Sequence, residues 1–422
     1  MNTRRTTDFL IIGGGVIGLA LALEARRRFG DARILLIEKE RACGLHASGR
    51  NSGVLHAGFY YSADSLKARF AREGNQRLTR YGEERGLRIN RCGKLVVARD
   101  ETELAGIDEL LRRSRLNGVD LQEVTEHEAR ELEPLARTFE RALFSPNTST
   151  VDPTEVVSAM VADARTERVD IRENVRYLRR RGDLIRTSAG DISAGYVINA
   201  AGLYADRIAR DFGFAQDYRI LPFKGLYLYA EGSLPLRCHI YPVPDLRHPF
   251  LGVHFTLTVD GHVKIGPTAI PAFWREQYSG VENFHPGEFA EVVGLEAAVF
   301  LENAFDFRRL ALHELRKYSR RHLVRLAGGL VRSDLTSLGW RWGRAGIRAQ
   351  LVNVRRRTLE MDFHLQGDGR SMHVLNAVSP GFTCSLPFAS YVIDEVQRHL
   401  VARPAPPQAD RPVTSLSAQG AA

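Results

Sequence analysis

The chain has 422 residues, 44% apolar and 26% charged, proportions of a globular protein that set aside disorder, collagen and coiled coil. That length exceeds what one hydrophobic core serves, so two domains are expected. Lys and Arg outnumber Asp and Glu by 59 to 50, a charge of +9 that favours an anionic partner without choosing among dinucleotide, acidic metabolite, lipid headgroup and nucleic acid.

The first forty residues read as strand, turn, helix, strand. Phe9-Leu10-Ile11-Ile12 is a buried strand and Gly13-Gly14-Gly15 the turn. Val16 to Arg28 has helical spacing, and Ile34-Leu35-Leu36-Ile37 is a second strand ending at Glu38. The uncharged stretch Phe9 to Leu23 is 15 residues, too short to span a bilayer. Arg4, Arg5 and Ala20-Leu21-Ala22 imitate an export signal, but cleavage would destroy the glycine motif, so the chain is expected to stay in the cytoplasm. Cys43, Cys92, Cys238 and Cys384 stand far apart, which argues against a disulfide framework and a structural metal; no metal is expected.

Gly44 to Gly58 reads as a loop, Leu66 to Arg85 as a helix, Gly93 to Ala98 as a strand and Glu101 to Asn117 as an amphipathic helix. Asp152-Pro153 opens another helix with a capping carboxylate and a first-turn proline. Strands follow around Ile171, Leu184 and Ile192, the last closing at Tyr196 to Gly202. Strand patterns dominate Phe223 to Ala269, helix Phe289 to His322, then come a strand (Ser371 to Ala377), a turn (Ser379-Pro380-Gly381) and a helix (Phe388 to Leu400). Residues 403–422 read as a disordered tail, and no internal repeat is visible.

Gly13-x-Gly15-x-x-Gly18 joins the first strand to the first helix, with Glu38 twenty residues beyond Gly18. Gly13 permits the tight turn, Gly15 lets backbone approach a pyrophosphate, and Gly18 lets helix and strand pack closely. The helix N-terminus offers N–H groups to the phosphates and Glu38 accepts from a ribose diol. An acid at position 38 disfavours a 2′-phosphate; FAD and NAD both remain open on these residues.

From Arg50 onward, Arg50-Asn51-Ser52-Gly53-Val54-Leu55-His56-Ala57-Gly58-Phe59-Tyr60-Tyr61 resembles the matching segment of L-2-hydroxyglutarate oxidases and dehydrogenases, FAD enzymes of the D-amino-acid-oxidase-like superfamily. Further matches are Ser65-Leu66-Lys67-Ala68, Cys92-Gly93-Lys94, Tyr241-Pro242-Val243-Pro244-Asp245, Pro249-Phe250-Leu251-Gly252-Val253-His254, Gly266-Pro267, Gly346-Ile347-Arg348-Ala349-Gln350 and Ser379-Pro380. The resemblance runs from about Asp8 to Leu400 and is thin between Ala272 and Trp342. It implies a Rossmann-like α/β FAD-binding domain of the GR2, D-amino-acid-oxidase type. An inserted α+β substrate domain on a largely antiparallel sheet completes the fold. The expected division is 1–82, 151–216 and 343–402 for FAD, and 83–150 and 217–342 for substrate.

The resemblance also implies oxidation of a 2-hydroxy acid to its 2-oxo acid, with hydride passing from C2 to flavin N5. Such chemistry requires a base for the hydroxyl proton and cations for the carboxylates. His254 is the first choice as base, and His56 as a group contacting flavin or substrate. Arg348 is the first choice for a carboxylate, since a guanidinium binds it through two parallel bonds; Lys224, Tyr241 and Lys67 are secondary. For the cofactor, the expected contacts besides the glycines and Glu38 are Lys39, Ser52, Gly53, Val175, Ala201, Gly202, Gly381, Phe382 and Thr383. The last three belong to a turn that would aim backbone N–H groups and a helix dipole at the flavin. His46 lies where some relatives attach FAD covalently; a noncovalent cofactor is expected.

The reduced flavin must pass electrons to oxygen, a quinone or a carrier protein. Arg308 to Arg325 holds seven Lys/Arg against Glu314 alone. This reads either as a helix on the inner membrane face or as an amphipathic helix packed inward with its basic face solvated. An amine oxidase of the same superfamily is the alternative function. An RNA-binding role finds no recognition motif, and no nucleic-acid partner is expected.

Overall fold

The computed structural model describes residues 5–246 and 252–402; the expected disordered tail and the Pro249-Phe250-Leu251 match lie outside them. Strands Arg5–Ile12 and Ile34–Ile37 run parallel, pairing Phe9 with Ile34 through Ile12 with Ile37. The Val16–Phe29 helix between them makes the crossover. Arg26, Arg27 and Arg28 occupy its last turn, where cations favour the carbonyl end of the helix dipole. Gly190–Asn199 flanks Arg5–Ile12 on the other side, and Ser371–Asn376 pairs parallel to it, so chain from three distant segments builds one sheet.

Both faces of that sheet are covered, which is why its strands read as unbroken apolar runs. Phe9, Ile11, Ile34 and Leu36 pack with Leu19, Ala22, Met160, Phe388 and Val392 of three helices: Val16–Phe29, Pro153–Thr166 and Ser385–Ala402. Leu10, Ile12, Leu35 and Ile37 meet Ile185, Val197 and Ile208 on the opposite side. The Pro153 helix is capped as expected: Asp152 accepts from the Thr154 N–H at 2.7 Å.

A second eight-stranded sheet runs in the order Trp340–Trp342, Leu228–Ala230, Val263–Gly266, His254–Leu257, His239–Pro242, Lys94–Val97, Arg141–Ser145, Gln122–Thr125. All its pairings are antiparallel except that of His239–Pro242 with Lys94–Val97. Alternation sends Leu95, Val97, Ile240, Phe255, Leu257 and Ile265 to one face, against Leu323, Val324 and Ala327 of the Arg320–Gly328 helix. The other face carries Lys94, Tyr241, His254, Thr256 and Lys264, as the register pairs Thr256 with Lys264 and Lys94 with His239.

A four-stranded sheet pairs Tyr218–Gly225 with Gly346–Asn353 over eight residues, although these strands lie on opposite sides of the expected division at 342/343. A fully buried ion pair ties the Ala205–Asp211 helix to the segment after Pro271. Arg275 donates two bonds to Asp206, at 2.7 and 3.0 Å, in the two-pronged geometry that makes burial of such charges tolerable. The basic run of 308–325 is not one helix. Phe307–Leu315 gives way to a 3-10 turn at Arg316–Tyr318, and Ser319 caps a new helix, Arg320–Gly328.

Candidate active site

A cavity of about 750 Å³ lies between the parallel sheet and the polar face of the second sheet. Its walls include Gly13, Gly15, Glu38 and Ala201 toward the parallel sheet, and His56, Tyr241, His254, Arg348 and the turn 377–383 toward the second.

At the parallel-sheet end the chain closes on itself tightly. Gly13 has φ +112°, and a Cβ there would come within 2.6 Å of the Ala200 carbonyl. A Cβ at Gly18 would meet the Gly13 carbonyl at 1.9 Å, so that glycine serves helix packing, as expected, and does not line the cavity. The Glu38 carboxylate accepts from Gly14 N at 2.7 Å and from Glu40 N at 2.9 Å, which pins it at the loop. Val175 lines the cavity, but its N–H is taken by the Glu38 carbonyl, so any contact it makes uses its other atoms. Ser48, which the sequence reading passed over, accepts from Val16 N at 2.9 Å at the helix start. Its signal was a serine in the glycine-rich loop.

Lys39 lies at the edge of the cavity within a charged knot. Its ammonium bonds Glu40, stands 2.6 Å from Glu276 and 3.0 Å from His46 Nε2, while His46 Nδ1 meets the Tyr278 hydroxyl at 2.5 Å. Glu40, His46 and Glu276 thus converge on the Lys39 ammonium, which already supplies a positive charge among them.

Toward the second sheet, the turn 377–383 leads into the Ser385–Ala402 helix and lines the cavity with Gly381, Phe382 and Thr383. Thr383 Oγ1 accepts from His56 N at 3.2 Å and donates to the Val54 carbonyl at 3.3 Å, which fixes the turn against the His56 segment. His254 stacks on Tyr241 with ring centroids 3.6 Å apart and planes 16° apart. Its Nδ1 is 3.0 Å from the Gly252 carbonyl; Nδ1 therefore donates, and Nε2 keeps a lone pair. Burial first, and the Lys94 charge second, hold the His254 pKa well below the ordinary histidine value. The same two causes act on His56. Arg348 is half-buried and donates to the Thr268 carbonyl at 2.9 Å. Gly225 makes room for it: a Cβ there would stand 3.2 Å from the Arg348 guanidinium.

Of the expected residues, Gly13, Gly15, Glu38, Lys39, Ser52, Val175, Ala201, Gly202, Gly381, Phe382 and Thr383 line one cavity with His56, His254, Tyr241 and Arg348. Gly53 stays outside as a left-handed turn residue, at φ +77°. The two substrate lysines are not brought there. Lys224 pairs with Ile347 and does not line the cavity; its ammonium stands 6.0 Å from the Tyr318 ring. Lys67 is buried in the first turn of the Leu66–Glu84 helix beside Asp362, where desolvation pulls its pKa to about 8. Lys94 and Lys264, not expected as site residues, stand on the polar sheet face instead.

The donor set fits a dinucleotide with a flavin: a glycine loop at one helix N-terminus for a pyrophosphate, a carboxylate beside it for a ribose, and a second helix entered from the 377–383 turn. Residues 8–395 match the model of the family described as FAD dependent oxidoreductase. The chain belongs to that family. It is 34% identical over 433 residues to the L-2-hydroxyglutarate dehydrogenase of Escherichia coli O17:K52:H18, covering 98% of this chain and 99% of that one. It is 34% identical to the mitochondrial L-2-hydroxyglutarate dehydrogenase of Bos taurus, over 93% and 89% of the two chains. Among solved structures, L-alpha-glycerophosphate oxidase from Mycoplasma pneumoniae with FAD bound superposes with a TM-score of 0.70 at 22% identity, covering 94% of this chain and 96% of that one. Glycine oxidase from Geobacillus kaustophilus gives 0.70 at 21%, over 93% and 95%. These two likenesses bear out the fold expected from the sequence: a Rossmann-like FAD-binding unit joined to a largely antiparallel sheet. The cofactor of the family is FAD.

Proposed function

We propose that the chain oxidises L-2-hydroxyglutarate, or a closely similar 2-hydroxy diacid, to the 2-oxo acid. One observation carries the reading: His254, with a lone pair on Nε2, and Arg348 line one cavity and meet the same short segment, His254 pairing with Gly266 and Arg348 bonding Thr268, while the acids that line the cavity among the described residues, Glu38, Asp211 and Glu276, bond Gly14, Tyr177 and Lys39. Arg348 is half-buried in the cavity wall, where a guanidinium can bind a carboxylate through two parallel charge-assisted bonds that water screens only in part. Nε2 of His254 takes the hydroxyl proton, and Tyr241, stacked on the ring, fixes its plane. FAD, when bound, supplies the hydride acceptor. Both ring nitrogens of His46 have protein partners, Tyr278 on one side and Glu40 and Lys39 on the other, which supports a noncovalent cofactor. An ammonium substrate would find Arg348 there and, among the described residues, only acids already bonded, so the amine oxidase alternative is disfavoured.

The expected division, with 1–82, 151–216 and 343–402 for the cofactor and 83–150 and 217–342 for the substrate, is supported by the parallel sheet drawn from 5–37, 170–199 and 364–376 but crossed by the four-stranded one, which brings Arg348 to the substrate side. No helix among the described residues is long and apolar enough to cross a membrane. Leu301, Leu312, Leu315 and Tyr318 nevertheless lie exposed beside Arg308, Arg309 and Arg316, which supports peripheral contact with an anionic membrane face, with oxygen, a quinone or a carrier protein as electron acceptor. Co-sedimentation that does not depend on anionic lipid removes that contact.

The test of the reaction is a panel of short 2-hydroxy acids given to the holoenzyme with a dye acceptor. L-2-hydroxyglutarate should be turned over well and the monocarboxylic acids poorly. Failure on every 2-hydroxy diacid overturns the reading.

A further inference from the structure

Lys94 is completely buried in the middle of the second sheet, and its ammonium has no hydrogen-bond partner among the described residues. Three aromatic rings box it in, with centroids 4.3 Å (Tyr241), 5.1 Å (Tyr60) and 5.5 Å (Phe59) from Nζ. Such a box attracts a cation through the ring quadrupoles but supplies no counter-charge. A methionine would fill the same space without a desolvated ammonium, so the lysine costs the fold stability that packing alone does not require. Perturbed charges of this kind gather at functional sites.

Resting on the reading of His254 as the base, we propose that Lys94 is its positioning residue: the ammonium behind the Tyr241 ring keeps His254 unprotonated as the medium turns acidic. Tyr241 links the two, since Lys94 lies against its ring and His254 stacks on it. The titratable groups facing this pair come from every neighbouring element. They are Cys92 beside Lys94, His239 and Tyr241 on the adjoining strand, Lys264 beyond His254, His56, Tyr60 and Tyr61 from the loop above, and Arg348 in the cavity wall. No carboxylate belongs to that set among the described residues. Burial keeps the tyrosines and Cys92 in their neutral acid forms and the histidines in their neutral base forms. Desolvation brings the Lys94 pKa to about 7. As the pH falls, protons on this face therefore go to Lys264 and then to Lys94 before any of the buried histidines, and the field of the Lys94 ammonium opposes a further one on His254.

The experiment measures kcat/KM for L-2-hydroxyglutarate against pH in the holoenzyme, for which the acid limb reports the essential base of the free enzyme. Lys94→Met should move that limb up by about one pH unit. Lys94→Arg, permanently charged, should hold it at or below the wild-type position. A second readout needs no turnover: in protein with 13C-labelled histidine, the His254 resonance, assigned with His254→Gln, should titrate at higher pH in Lys94→Met. Melting of Lys94→Met should come no lower than wild type. An unmoved limb and an unmoved resonance, or a Lys94→Met chain that loses flavin and melts early, overturn the proposal. If His254→Ala keeps wild-type turnover, the base reading fails, and the resonance alone then decides whether Lys94 governs His254.

Discussion

The two faces of the second sheet are made by the same strands and do opposite things. On one, Leu95, Val97, Ile240, Phe255, Leu257 and Ile265 bury apolar surface against the Arg320–Gly328 helix and contribute stability. On the other, Lys94, Tyr241, His254, Thr256 and Lys264 sit one residue out of step, and several of them are costly to bury. Strand alternation thus sets each site residue next to a core residue in sequence, so His254 is held in place by the burial of Phe255 beside it. The comparison teaches that the proposed catalytic wall is backed by a hydrophobic core, whose burial positions it.

Substitutions in the cavity wall, at His254 of the polar face and at Arg348 of the neighbouring four-stranded sheet, should break activity and spare the fold. His254→Ala should lower kcat by about 10²–10⁴-fold, the usual worth of a general base, with little change in melting temperature. Arg348→Ala should raise KM and lower turnover together, losing about 1.5–3 kcal/mol of transition-state binding for a charged hydrogen-bonded contact. Steady-state kinetics beside a thermal melt of each variant measures both. Wild-type kinetics in the two variants would remove the assignment of this wall while leaving FAD binding intact.

The reverse substitution should do the reverse. Phe255 is fully buried in the apolar cluster, and Phe255→Ala should destabilise the fold by about 3–5 kcal/mol through lost contacts and the cavity left behind. Molecules that remain folded should keep kcat within a few-fold, as judged by denaturant melts and by activity normalised to bound flavin. A large loss of kcat at full flavin occupancy would show that the two faces are not separable.

The nucleotide end was legible because its signals are local. The glycines, the Val16–Phe29 helix and Glu38 lie within one short stretch, and the expected strand Ile34 to Ile37 matches residue for residue. His254 and Arg348 could be named for the same reason, each inside a short matched block. What escaped the sequence depends on partners far along the chain. Lys224 ends near the Tyr318 ring, 94 residues on, as their numbers give (318 − 224), and the box around Lys94 needs Tyr60 and Tyr241 from two other segments. The basic run looked like one helix because its apolar residues come at helical spacing. Ser319, an N-cap residue in its middle, was the overlooked break.

The smallest expected effect concerns pH and sharpens the comparison further. In the fold, desolvation brings Lys94 to about 7 and both Lys67 and Lys264 to about 8, whereas in the unfolded chain each returns to about 10.5. Between those values the unfolded state binds more protons than the native one, so stability rises with pH. The depressed histidines His56, His239 and His254 act with the same sign below about 6.5, where only the unfolded chain protonates them. The melting temperature of the holoenzyme should therefore climb by a few degrees from pH 6 to pH 9, below the range in which the buried tyrosines of raised pKa begin to ionise. Lys94→Met should flatten the climb because it removes one of the three lysines, and a conservative change on the apolar face, Leu257→Met, should leave the slope alone. A melting temperature that falls over this interval would mean that the polar face is open to water, and the contrast between the two sides of the sheet would go with it.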